Sequence, residues 1–172
     1  MRLADTTLFK ALPPGSRPSL LGVFQTVELA QGQALWRVGE PGDSLAVLLE
    51  GGCELSRPSG DRHAVLGQLA PGALIGALTL LSPGPRASTL SARQDSTLAV
   101  LEGRAFRSIW RTASPTAVQL QLVIARTLAL ELRDLDAQLS TLMDRPAVEL
   151  QDAELRHVLR VVDHLCEEAL RR

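Results

Sequence analysis

Lysine is almost absent from this sequence: Lys10 stands alone and arginine supplies the other cations, which reflects codon usage rather than function. Also absent is any apolar run approaching the roughly 20 residues of a membrane-spanning helix, so no span is expected. The opening MRLADTTLFK carries Asp5 and Lys10 inside any apolar leader, so no export signal is read there and cytoplasmic residence is expected. A formal net charge of -1 supplies no general field for nucleic acid or an anionic membrane. Two cysteines, Cys53 in a strand-like run and Cys166 in a helical one, are too few and too unlike to form a disulfide framework and read as buried free thiols.

What is present is ordinary for a globular protein: 45% hydrophobic and 22% charged residues in a chain of 172, enough for one domain plus extra helix. Asp5, Thr6 and Thr7 cap a first helix carrying Leu8, Phe9 and Leu12, which Pro13, Pro14 and Gly15 end, and a second short helix is expected over 16–23. From Phe24 the pattern changes to short runs separated by turn residues: 24–29, 34–38, 45–49, 53–57, 63–69, 88–92 and 96–101. About eight short strands at such spacing predict a mainly β jelly-roll sandwich.

One stretch, PGALIGALTLLSPGPRASTL from Pro71 to Leu90, has the makings of an anion site. Gly76 allows close backbone approach, 77–81 can form a turn or two of helix with unpaired amides at its start, and Pro83, Gly84 and Pro85 stop it. Arg86 follows at once, a fixed cation with a planar fork of donors suited to phosphate. On these residues alone, a plain turn with a solvated arginine reads as well as a phosphate site.

The stretch resembles the phosphate-binding cassette of the cyclic-nucleotide-binding domain, the sensor of catabolite-activator-type regulators, protein kinase A regulatory subunits and cyclic-nucleotide-gated channels. The family's Gly-Glu-x-Ala/Ser-Leu stands here as Gly76-Ala77-Leu78-Thr79-Leu80, and its arginine with the small residues after it as Arg86-Ala87-Ser88-Thr89. Gly39 to Asp43, Leu49-Glu50-Gly51 and Pro71-Gly72 resemble the family's loop, hairpin and turn glycines in the same order. The resemblance implies a β-roll with short N-terminal helices and a ligand, cyclic AMP or another cyclic nucleotide, held by Gly76, Ala77, Leu78, Arg86, Ala87, Ser88 and Thr89. No other cofactor and no metal is expected. It also exposes a departure: the glutamate that accepts the ribose 2'-hydroxyl is Ala77 here, and a buried hydroxyl left unpaired costs about 1–3 kcal/mol.

Beyond Leu101 the period becomes helical. A short helix over 104–110 offers Phe106, Ile109 and Trp110 to the core, and Ser114 and Pro115 open a long helix running to about Asp144. Leu128, Leu132, Leu135, Leu139 and Leu142 recur at alternating steps of four and three, a coiled-coil seam, while Leu122, Val123 and Leu130 form a second edge expected to lie on the sandwich. The seam either pairs with a twin subunit or packs on the chain's own last helix; the resemblance implies the former, since the long helix pairs the regulators into homodimers. Arg126 or Thr127 is placed on this helix to close over a bound base.

Residues 145–172 read as one amphipathic helix on which an effector protein can dock. They are too short and not basic enough for the helix-turn-helix module of the DNA-binding relatives, so direct nucleic-acid binding is not expected. His157 and His164 sit a heptad apart, not at the i, i+4 spacing of helical metal ligands, and read as a polar edge. With only His63 in the strand region, and no nucleophile elbow or Walker-type loop, no catalytic set is found. The expected organisation is a β-roll over 1–113, a dimer helix over 114–144 and a final helix over 145–172. The expected function is a non-enzymatic, homodimeric sensor, with a ligand-free dimeric interaction module as the alternative.

Overall fold

The computed structural model describes residues 1–59, 62–111 and 115–143. Two small helices open the chain, α1 (Thr7–Lys10) and α2 (Arg17–Leu21), and the Thr6 side chain caps α1 by accepting from the amide of Phe9. Ten strands follow in the order β1 (Gln25–Leu29), β2 (Ala34–Trp36), β3 (Pro41–Gly42), β4 (Ser44–Glu50), β5 (Cys53–Ser59), β6 (Arg62–Leu69), β7 (Leu74–Ile75), β8 (Gly84–Pro85), β9 (Thr89–Ala92) and β10 (Ser96–Glu102). Helix α3 (Ala77–Leu81) interrupts them between β7 and β8. One antiparallel sheet runs β1-β10-β4-β7, a second β2-β9-β5-β6, and β3 pairs with β8 alone.

The jelly-roll expectation is met, and the longer strands fall on the runs read from the sequence. The two-residue strands β3, β7 and β8 went unread, because a pair of residues shows no alternation. Strand β4 explains why 45–49 is continuously apolar. Leu45 and Val47 face one core, with Phe9, Leu20, Leu101 and Leu120. Ala46 and Leu48 face the other, with Trp36, Ile75, Leu90 and Leu98. The strand is buried on both faces, so alternation in space leaves no alternation in polarity.

Helix α4 (Gly103–Arg111) buries Phe106 and half-buries Ile109 against the first core, but Trp110, expected inside, is 46% exposed. One turn from Phe106 on a short helix, only one flank can reach the core. Helix α5 (Pro115–Met143) lays Ala117, Leu120, Val123 and Ile124 on that core, with Leu128 packed beside them. This corrects the second edge: Val123 is buried as expected, whereas Leu122 and Leu130 point outward. The steps 117, 120, 124 and 128 follow the helical period, and 122 and 130 lie off that stripe.

Leu128 thereby leaves the expected seam for the core of its own chain. The described chain falls into two units, one running from Met1 to Leu128 and the other starting at Ala129. Within the second, Leu132, Leu135 and Leu139 are exposed. Ser114, the hairpin tip at Gly60 and Asp61, and the final helix with His157, His164 and Cys166 lie outside the described residues, as does the side chain of Leu142. No described helix is long and apolar enough to cross a membrane.

Candidate functional site

Arg86 is the centre of the site. Its backbone is pinned to the loop before β4, donating from its amide to the Glu40 carbonyl (2.8 Å) and accepting from the Gly39 amide (2.8 Å). With β8 paired to β3 just before it, the side chain is sent inward and is only 5% exposed. Nη1 donates to the Ser44 carbonyl (2.9 Å) and the Thr79 hydroxyl (2.6 Å), and Nη2 donates to Ser44 Oγ (2.6 Å). The guanidinium carbon lies 3.8 Å from the centroid of the Trp36 ring.

Every one of these partners is uncharged, and no carboxylate among the described residues lies within ion-pair distance of the guanidinium. Its Nε is buried with no hydrogen-bond partner. Burial lowers the arginine's pKa from its ordinary value, opposed by the more distant negative charges of Asp43, Glu102 and Glu40. A buried cation without a counter-charge costs several kcal/mol, so the protein maintains an arrangement that an anion would relieve.

Two glycines make room for it. Gly76, at the start of α3, takes the left-handed conformation (φ 73°), and a Cβ there would lie 2.6 Å from Arg86 Nη1 and 3.2 Å from the Trp36 ring. A Cβ on Gly42 would collide with Arg86 Nε. Thr79, one turn into α3, accepts from Arg86 while donating to the Gly76 carbonyl (2.9 Å), which ties the helix start to the arginine.

Beside the guanidinium is a cavity of about 260 Å³, slightly under the usual range for small-molecule sites, about 300–1,000 Å³. Val27, Leu35, Trp36 and Val100 supply its apolar wall. Ser44 and Arg86 form one polar side, and Glu40, Asp43 and Glu102 contribute carboxylates.

Of the residues expected from the sequence, the structure brings Gly76 and Arg86 together. Ala77 is buried in the apolar core with Phe9 and Leu80. Leu78 and Ala87 are exposed, Ser88 is half-buried, and the Thr89 hydroxyl accepts from the Val38 amide (3.1 Å). Arg86 alone of the seven lines the cavity. On α5, Arg126 is exposed and Thr127 donates to the Val123 carbonyl (3.0 Å). Trp36, Ser44 and Glu102 were not singled out beforehand. They come from strands distant in sequence: the β4–β10 pairing sets Ser44 directly opposite Glu102, and Trp36 comes from β2 of the other sheet.

Residues 26–113 match the family model of the cyclic nucleotide-binding domain. A CRP-like cAMP-activated global transcriptional regulator of Mycobacterium tuberculosis is 28% identical over 127 residues, which are 73% of this chain and 57% of that protein. The chain thus spans little more than half the length of that relative. Among solved structures, the N-terminal domain of a transcriptional regulator from Streptomyces coelicolor A3(2) aligns with a TM-score of 0.65 and 33% identity, covering 80% of this chain and 94% of that one. The Catabolite Activator Protein of Thermus thermophilus aligns with a TM-score of 0.67 and 28% identity, covering 79% of this chain and 62% of that one.

Proposed function

This chain belongs to the cyclic nucleotide-binding domain family, and from that membership we propose that it is a non-enzymatic sensor of a cyclic nucleotide or a similar phosphate-bearing ligand. The observation that supports this reading is Arg86: a buried guanidinium with neutral partners, an unpaired Nε and a cavity at its side. Phosphate oxygens satisfy an arginine's planar donors and its charge together. Cyclic AMP is the first ligand to test, because the mycobacterial relative is described as cAMP-activated. In this proposal Arg86 binds the anionic group, Gly76 keeps the approach open, and Leu132, Leu135 and Leu139 pair the long helix with that of a second copy. Ligand occupancy is passed to that copy and to an effector docked on residues 145–172.

A second reading keeps the fold as a dimeric interaction module without a ligand. It is favoured by Ala77, which stands in the apolar core where the family's ribose-binding glutamate is expected, and by the three hydrogen bonds Arg86 makes inside the chain. Thermal shift with cyclic AMP, cyclic GMP and cyclic dinucleotides separates the two. A ligand that binds only the folded state raises Tm by mass action, so a dose-dependent rise supports the sensor. A flat response across the panel at millimolar ligand supports the module.

A further inference from the structure

The cavity beside Arg86 is lined by charges of both signs, and its carboxylates differ in how far they are already engaged. Glu40 Oε2 accepts from the Arg37 amide (2.9 Å), and Asp43 Oδ2 pairs with Arg107 (3.0 Å). Glu102 is half-buried and lines the cavity, and its carboxylate makes no hydrogen bond or ion pair among the described residues. Its position is fixed by the sheet: as the last residue of β10 it stands directly opposite Ser44, the residue that holds Arg86 through its hydroxyl. Residues opposite one another in an antiparallel ladder share a face, so an open carboxylate acceptor and the arginine's anchor are set side by side.

Building on the sensor reading, we propose that Glu102 is the specificity-determining acceptor of this pocket and takes a hydrogen bond from a hydroxyl or amino donor on the ligand whose anionic group Arg86 binds. The ligand class is therefore an anion that also carries hydrogen-bond donors, rather than a bare phosphate or a carboxylate with an apolar body. Two observations meet here. Ala77 has no side-chain acceptor and faces the apolar core, so its side chain cannot take a ribose hydroxyl. Arg86, which lines the same cavity as Glu102, keeps a buried Nε without a hydrogen-bond partner. Without such a donor, a carboxylate beside a phosphate site only repels the ligand, and a neutral residue would serve better.

That contrast gives the test its sign. If Glu102 were merely a neighbouring charge, Glu102→Ala would tighten binding of every anion. As an acceptor, its loss weakens the donor-bearing ligand roughly ten- to a hundredfold. Calorimetric titration of the full chain and of Glu102→Ala uses cyclic AMP, 2'-deoxy cyclic AMP and the cyclic monophosphate of purine riboside, which lacks the amino group. Weakening confined to the two ligands with a 2'-hydroxyl assigns Glu102 to the ribose, and weakening confined to the two with the amino group assigns it to the base. Glu102→Gln, which keeps an acceptor oxygen, restores part of the loss. Equal or tighter binding by Glu102→Ala with all three ligands overturns this inference and leaves the sensor reading standing. Failure of the wild-type chain to bind any of the three overturns both.

Discussion

The central carbon of the Arg86 guanidinium lies over the indole of Trp36, 3.8 Å from the ring centroid. Both side chains are buried, so the contact is desolvated and falls at the strong end of cation–π pairs, about 2 kcal/mol. Trp36→Leu should therefore cost about 3 kcal/mol in all, part of it lost packing. Urea unfolding of the single variants and of the double variant with Arg86→Met should show a coupling of about 1–2 kcal/mol. Additive losses would mean that the ring only fills space.

Ala77 is the position where the family carries glutamate, and restoring that residue is the obvious attempt at improving affinity. Ala77 is 5% exposed and packed among Phe9, Leu20 and Leu80, so a carboxyl there enters an apolar core. Ala77→Glu should destabilise the chain by about 3 kcal/mol or more and lower Tm. Unchanged Tm together with tighter binding of cyclic AMP would show that α3 turns this face toward the ligand.

How far the sequence could be read follows from which contacts are local. Gly76, Thr79 and Arg86 lie within one short stretch, and their composition already marked it. The direction in which α3 faces was not legible, because in five residues every position is near one surface or the other. Glu102 and Ser44 meet only through the β4–β10 register, and a lone glutamate at a strand end carries no local signal. The same limit applied at Trp110, Leu122 and Leu130, whose apolar side chains fit a buried stripe in composition but not in phase.

Leu132, Leu135 and Leu139 present an apolar stripe on the distal half of α5, with Leu135 60% exposed. A second copy of the helix is the partner proposed for it, and a charge at the seam cannot be buried without pairing. Sedimentation should find the wild-type chain dimeric and Leu135→Asp monomeric, with the β-sandwich still folded by circular dichroism. A monomeric wild type or a dimeric variant would remove the seam.

Cys53 is wholly buried, and burial raises its pKa above the ordinary thiol value of 9.0, against a smaller lowering by the Ser96 hydroxyl. The folded chain thus holds this proton more tightly than the unfolded chain. The associated stability is complete below the ordinary thiol pKa and is lost as pH rises from there through the folded value. Denaturant unfolding at pH 7 and pH 10.5 should show the advantage of wild type over Cys53→Ala shrinking at the higher pH. An advantage independent of pH would mean that the thiol is not shielded from water.

The central claim is that the buried, counter-charge-free arginine is a receptor for phosphate, and titration calorimetry of cyclic AMP into wild type and Arg86→Ala tests it most directly. Losing charge-assisted bonds of about 1.5–3 kcal/mol each should weaken binding a hundredfold or more, with the variant still folded by circular dichroism though less stable in urea, since the arginine's contacts to Trp36, Ser44 and Thr79 are lost. Equal affinity in the two proteins, with both folded, would contradict the claim.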